Sequence, residues 1–134
     1  MHSKVIITLG FVLCSVLQGY AHEMTPTYPD LKPSYIDGVS VAKMKLFNRR
    51  SDVEFYKIQV FTSDWKPIPF ASTSKVINIK YNTSKLFNVY IRSEDVKRVV
   101  YICTESKVFK GVNQIALVSS RICSKIKQDQ WEYF

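Results

Sequence analysis

Glycine and proline are scarce, four and five in 134 residues, and no tract repeats, which excludes collagen-like and low-complexity chains. Histidine and cysteine are scarcer still, two and three, so material for a metal centre or an activated nucleophile is thin. No Gly-rich phosphate loop, His-Cys metal spacing or Ser-His-Asp set is present. Catalytic residues, metal ligands and cofactors are therefore not expected. Long runs of one charge are also lacking: Lys and Arg are spread along the chain, and Arg49 and Arg50 form the only adjacent arginine pair. The net charge of +8 thus reads as a solvated surface and not as a nucleic-acid site. What is plentiful is apolar and aromatic material, 46% and 13% of residues. That composition argues for one folded domain and against disorder.

The chain starts with Lys4 followed by a nearly unbroken apolar run from Val5 to Val16, and Gly19 and Ala21 are small. A positive start, an apolar stretch of this length and small residues after it describe a cleavable export signal over residues 1–21. Gln18 interrupts the run before the roughly 20 residues a bilayer span needs. Stable membrane insertion after cleavage is not expected, and the bulky Leu13 disfavours lipid attachment at Cys14. The mature chain would start at His22 in a periplasmic or secreted setting.

Loss of Cys14 leaves Cys103 and Cys123, an even number in an oxidising compartment. They stand 20 residues apart, with their midpoint at Asn113 beside Gly111. Two strands folded back around residues 111–113 bring these cysteines opposite each other as a cross-strand disulfide, worth roughly 3 kcal/mol in the chain-entropy model. A redox pair would normally need Cys-x-x-Cys spacing, which is absent.

Residues 22–38 hold Pro26, Pro29 and Pro33 without a regular period and read as an extended lead-in. Beyond Gly38 a two-residue period takes over. Ala42, Met44 and Leu46 alternate with polar neighbours, then Tyr56, Ile58 and Val60, then Phe87, Val89 and Ile91. Residues 48–52 read as a polar turn, 76–79 as a short strand, 81–85 as another turn, and 93–97 as a polar segment whose Glu94 and Asp95 are expected to be solvated. Strands follow at 99–104 and about 114–123, and no stretch has a helical period. Short strands at this spacing indicate an all-β, immunoglobulin-like β-sandwich of about seven strands, a single domain over residues 39–127. Residues 128–134 form an aromatic tail. Asn82-Thr83-Ser84 is an N-glycosylation sequon in a eukaryotic secretory host and only a turn in a bacterial one.

From Leu46 to Ile126 the pattern resembles the amino-terminal immunoglobulin-like domain of periplasmic pilus-assembly chaperones of the chaperone-usher class. The matching pieces are Leu-Phe-Asn-Arg-Arg-Ser-Asp-Val-Glu-Phe-Tyr-Lys-Ile-Gln-Val over 46–60, Asp-Trp-Lys-Pro-Ile over 64–68, and Gln-Ile-Ala-Leu over 114–117. The family places an Asn at the end of such a strand, then a turn and an aromatic-led strand, and later a hairpin whose final strand displays alternating apolar residues. The resemblance implies a protein partner, a pilus-type subunit or other extended segment, captured by β-strand addition. Asn113, Ile115 and Leu117 are the expected donor stretch. Ala116 and Val118 face the opposite side, so a core role for Ile115 and Leu117 is the competing assignment.

The family also grips a carboxylate of its subunit with two basic residues. Lys43 and Arg121 are the corresponding candidates here. A disulfide between the last two strands resembles one subclass of these chaperones, although the connecting loop here is short. The family carries a second domain, for which nothing remains after about Lys127. The alternative function is a structural or adhesion subunit of a surface fibre, or a stand-alone immunoglobulin-like module. The penultimate Tyr133 resembles pilus subunits in that respect.

Overall fold

The computed structural model describes residues 22–107 and 119–127. The signal segment, Asn113, Ile115, Leu117 and the aromatic tail lie outside them. Among the described residues, antiparallel strands form two sheets packed face to face, the expected immunoglobulin-like β-sandwich.

The first sheet is built on β3 (Val39–Phe47), which pairs along its whole length with β6 (Ser84–Arg92) on one side. Its other side takes β1 (Glu23–Thr25) at one end and β2 (Lys32–Pro33) at the other. The second sheet runs β5 (Val76–Asn78), β4 (Phe55–Phe61), β7 (Tyr101–Lys107), β8 (Arg121–Lys125). Alternation explains why these segments are strands. Ala42, Met44 and Leu46 of β3, Tyr56, Ile58 and Val60 of β4, and Val89 and Ile91 of β6 all point into the space between the sheets and are buried.

The lead-in joins the fold. Met24 and Leu31 enter the core, and the chain between β1 and β2 switches sheets, so that Thr27 and Pro29 accept from the backbone N–H groups of Lys125 (3.0 Å) and Lys127 (3.3 Å). β2 turns into β3 through residues 34–39, where Val39 N–H donates to Ile36 C=O (3.2 Å) and Gly38 takes φ +76°. A side chain there would be strained.

Two local expectations are corrected. Residues Ser93–Arg98 form a 3-10 helix, and Asp95 is not solvated: it is 3% exposed, its Oδ2 held by Arg92 and its Oδ1 by Arg98 at 3.0 Å. A buried carboxylate needs such partners to stay charged. Residues 48–52 are likewise more than a polar turn, because Asn48 and Arg50 are buried. Asn48 continues the inward parity of Ala42, Met44 and Leu46 past the end of β3.

Candidate partner-binding edge

β8 is the last strand of the second sheet, and β7 holds it in register. Thr104 faces Ile122, Cys103 faces Cys123 and Ile102 faces Ser124. Cys103 and Cys123 form the expected disulfide, with Cα atoms 4.0 Å apart, as suits a non-hydrogen-bonded antiparallel pair, where side chains approach most closely. The backbone groups of Ser120 and Ile126 face β7: Ser106 N–H donates to Ser120 C=O and Ile126 N–H to Val100 C=O, each at 2.9 Å. By alternation, the N–H groups of Arg121, Cys123 and Lys125 face away. Lys125 meets Thr27, whereas Arg121 and Cys123 have no outward backbone partner among the described residues. β1 runs beside β8 at this corner of the sandwich. Among the described residues the margin is therefore covered at its carboxyl end by residues 27–29 and unpaired at Arg121 and Cys123.

Arg121 points to the outer face of this sheet. Its guanidinium lies over the Phe61 ring (5.4 Å) and 3.6 Å from Glu105. Beside it, Trp65 stacks flat on Tyr101 at 4.3 Å. Trp65 has φ 61°, a strained value for a bulky residue, and that conformation holds its indole half-exposed over the sheet. Lys43 points outward from β3 and is exposed. The two cations thus stand on opposite outer faces of the sandwich, and the structure does not bring them together.

At Ser106 of β7 and Ser120 just before β8, a buried polar cluster joins both sheets to the amino-terminal strand. None of its members stood among the expected binding residues. Asn48 Nδ2 donates to the carbonyls of Val53 (2.7 Å) and Ile79 (2.9 Å), while its Oδ1 accepts from Arg50 N–H (2.9 Å) and from the Tyr56 hydroxyl. The Arg50 side chain holds Asp52 in a two-point pair, at 2.9 and 2.6 Å, and reaches toward the hydroxyls of Ser106 and Ser120. His22 is 1% exposed, its ring 4.5 Å from that of Tyr56. Its Nε2 lies 3.1 Å from Thr104 C=O, and a carbonyl only accepts, so Nε2 carries the proton. Nδ1 then accepts from the Ser120 hydroxyl at 3.3 Å.

Burial shifts the titration of this cluster. Desolvation lowers the His22 pKa below its ordinary 6.5, the Thr104 carbonyl partly opposes that, and Arg50 lowers it further. Burial likewise pushes the Tyr56 hydroxyl up to about 12. The hydrogen bond from Arg50 holds the Asp52 carboxyl below the usual range. Between the ordinary and the depressed histidine pKa, the unfolded chain binds a proton that the folded chain does not. Stability is consequently level above about pH 6.5 and falls as the pH drops through that window, with a limiting slope of about 1.4 kcal/mol per pH unit for one proton. Urea midpoints measured from pH 8 to pH 5 should show that fall in the wild type and lose most of it in His22→Gln. Equal slopes in the two proteins would mean that His22 titrates as it does in water.

No protein-family model matches the sequence, and no curated protein matches it. Among solved structures, the fold is similar to that of the periplasmic chaperone SfaE, with TM-score 0.55 and 7% sequence identity, over 79% of this chain and 55% of that one. The chain spans about half of that chaperone's length. At this identity the likeness concerns the fold alone, an immunoglobulin-like sandwich.

Proposed function

We propose that the chain is an exported, chaperone-like binding module that takes up an extended segment of a partner protein by strand addition at its last strand, and that it carries out no catalysis of its own. The observation that carries this reading is the margin at β8: a strand pinned by β7 and a disulfide, with the outward backbone groups of Arg121 and Cys123 unpaired among the described residues. An unpaired strand edge is a template for another chain. The likeness to a periplasmic chaperone supports the same reading. In this proposal Asn113, Ile115 and Leu117 continue the margin and offer alternate side chains to the partner. Burying each of the two apolar ones contributes about 1.5–3 kcal/mol.

The test is affinity capture from the native compartment with wild type and Leu117→Asp side by side. The variant should retain at most about a tenth of the captured partner, with a thermal midpoint within about 2 °C of the wild type. A midpoint lowered by about 10 °C or more would place Leu117 in the core and remove it as a donor.

A further inference from the structure

A groove of about 530 Å³ lies on the outer face of the first sheet, the sheet without β8. That volume suits a small ligand. Its floor is made of two cross-strand pairs, Val41 with Tyr90 and Lys43 with Asn88. Its wall is the segment around β2, fixed by the pairing of Lys32 with Val41 and by the turn at Gly38. Tyr35, 86% exposed, meets Tyr90 edge to face at 6.4 Å and 83°. Asn88 Nδ2 donates to the Tyr90 hydroxyl at 3.3 Å, which leaves the Asn88 carbonyl oxygen as an acceptor. Asp30 stands in the lining with its Oδ1 3.6 Å from Lys127 Nζ and its side chain about a third exposed. Lys32 and Lys43 also line the groove, and neither has a carboxylate partner among the described residues.

Each component narrows the ligand. Two unpaired ammonium groups favour a negative charge. Two tyrosine rings at an angle give flat apolar walls against which a ring can lie. Asp30 and the Asn88 oxygen accept from hydroxyl groups, but the Asp30 charge opposes a compact multiply charged anion such as phosphate. A ring with one carboxylate and several hydroxyls satisfies all of these groups together. We propose that the groove binds an acidic saccharide, with a uronate carboxylate between Lys32 and Lys43 and a sugar ring against Tyr35 and Tyr90. This site is independent of strand addition, since it lies on the other sheet.

The test is an NMR titration of the amide resonances of the purified chain with tri-galacturonate, and in parallel with maltotriose and with inorganic phosphate. Tri-galacturonate should shift the amides of Lys32, Lys43, Asn88 and Tyr90 with a dissociation constant on the order of 1 mM. The Lys32→Gln/Lys43→Gln double variant, altered only at exposed positions and checked for an unchanged thermal midpoint, should bind about tenfold more weakly. Tyr35→Ala should weaken binding by a comparable factor. Equal shifts with maltotriose would show that the groove reads no charge and would overturn the proposal. Phosphate binding as tight as tri-galacturonate would reduce the groove to a bare anion site and overturn it as well. Absence of shifts at about 20 mM tri-galacturonate, some twenty times the expected constant, would also overturn it.

Discussion

Asn48→Ala should lower the unfolding free energy by about 3–5 kcal/mol, read as a fall in the urea midpoint at unchanged slope. Asn48 is 0% exposed and joins four groups: the carbonyls of Val53 and Ile79, the Arg50 amide and the Tyr56 hydroxyl. Each partner left buried and unsatisfied costs about 1–3 kcal/mol, and relaxation or an entering water recovers only part. Because small domains have about 5–15 kcal/mol in total, the variant should be close to unfolding at body temperature. Asn48→Asp separates hydrogen bonding from packing. It keeps nearly the same shape but turns two acceptor oxygens toward two carbonyls and two donors, with a buried charge added. It should be destabilised at least as much as the alanine variant. If Asn48→Asp is tolerated while Asn48→Ala is not, volume and not hydrogen bonding is what the site requires.

Cys103→Ala/Cys123→Ala should cost about 3 kcal/mol, since the bridge closes a loop of 20 residues. Alanine is the better replacement because Cys103 is fully buried, and serine would add an unsatisfied hydroxyl there. The effect on β8 should be disproportionate. β7 is held on its other side by β4, whereas β8 depends on β7, the bridge and the short pairing with residues 27–29. Comparing urea midpoints of wild type with and without reductant against the double-alanine variant checks this. The reduced wild type and the variant should coincide, both below the oxidised wild type. A midpoint indifferent to reductant would mean that register and packing alone keep the hairpin in place.

Much of this architecture follows from a two-residue period. Once Ala42, Met44 and Leu46 are read as one face, β3 and its partner β6 are defined, because a slip by one residue would turn every apolar side chain to water. The disulfide expectation rested on two segments folded back on each other, and β7 and β8 do set Cys103 opposite Cys123; the turn expected at 111–113 lies outside the described residues. β1 and β2, at three and two residues, are too short to carry a period. Their place is set by contacts with β3 and β8 that no local pattern announces.

The polar cluster was harder to see because its members come from distant parts of the chain, His22 being 82 residues from Thr104 and 98 from Ser120. One signal was present. Asn48 follows Leu46 at the inward parity, which marks it as a buried polar residue in need of partners. Arg50 and Asp52 gave no comparable sign, since a charged turn looks the same whether solvated or folded under a hairpin. For the candidate edge, the disulfide was legible, whereas of the strand expected over about 114–123 only the end falls within β8, which starts at Arg121 and runs on to Lys125, and residues 114–118 lie outside the described ones. The order of the sheet, which decides that β8 is marginal and that residues 27–29 cover only one end of it, required the three-dimensional structure.

Amide hydrogen exchange at Arg121 and Cys123, measured in the free chain and in the complex recovered with its partner, tests strand addition most directly. Both amides should exchange quickly when free and slow by about a hundredfold or more in the complex, because a hydrogen bond to a new strand must open before exchange. A complex that forms while both amides exchange at their free rate would contradict the account, because the partner would then be held by some surface other than the β8 margin.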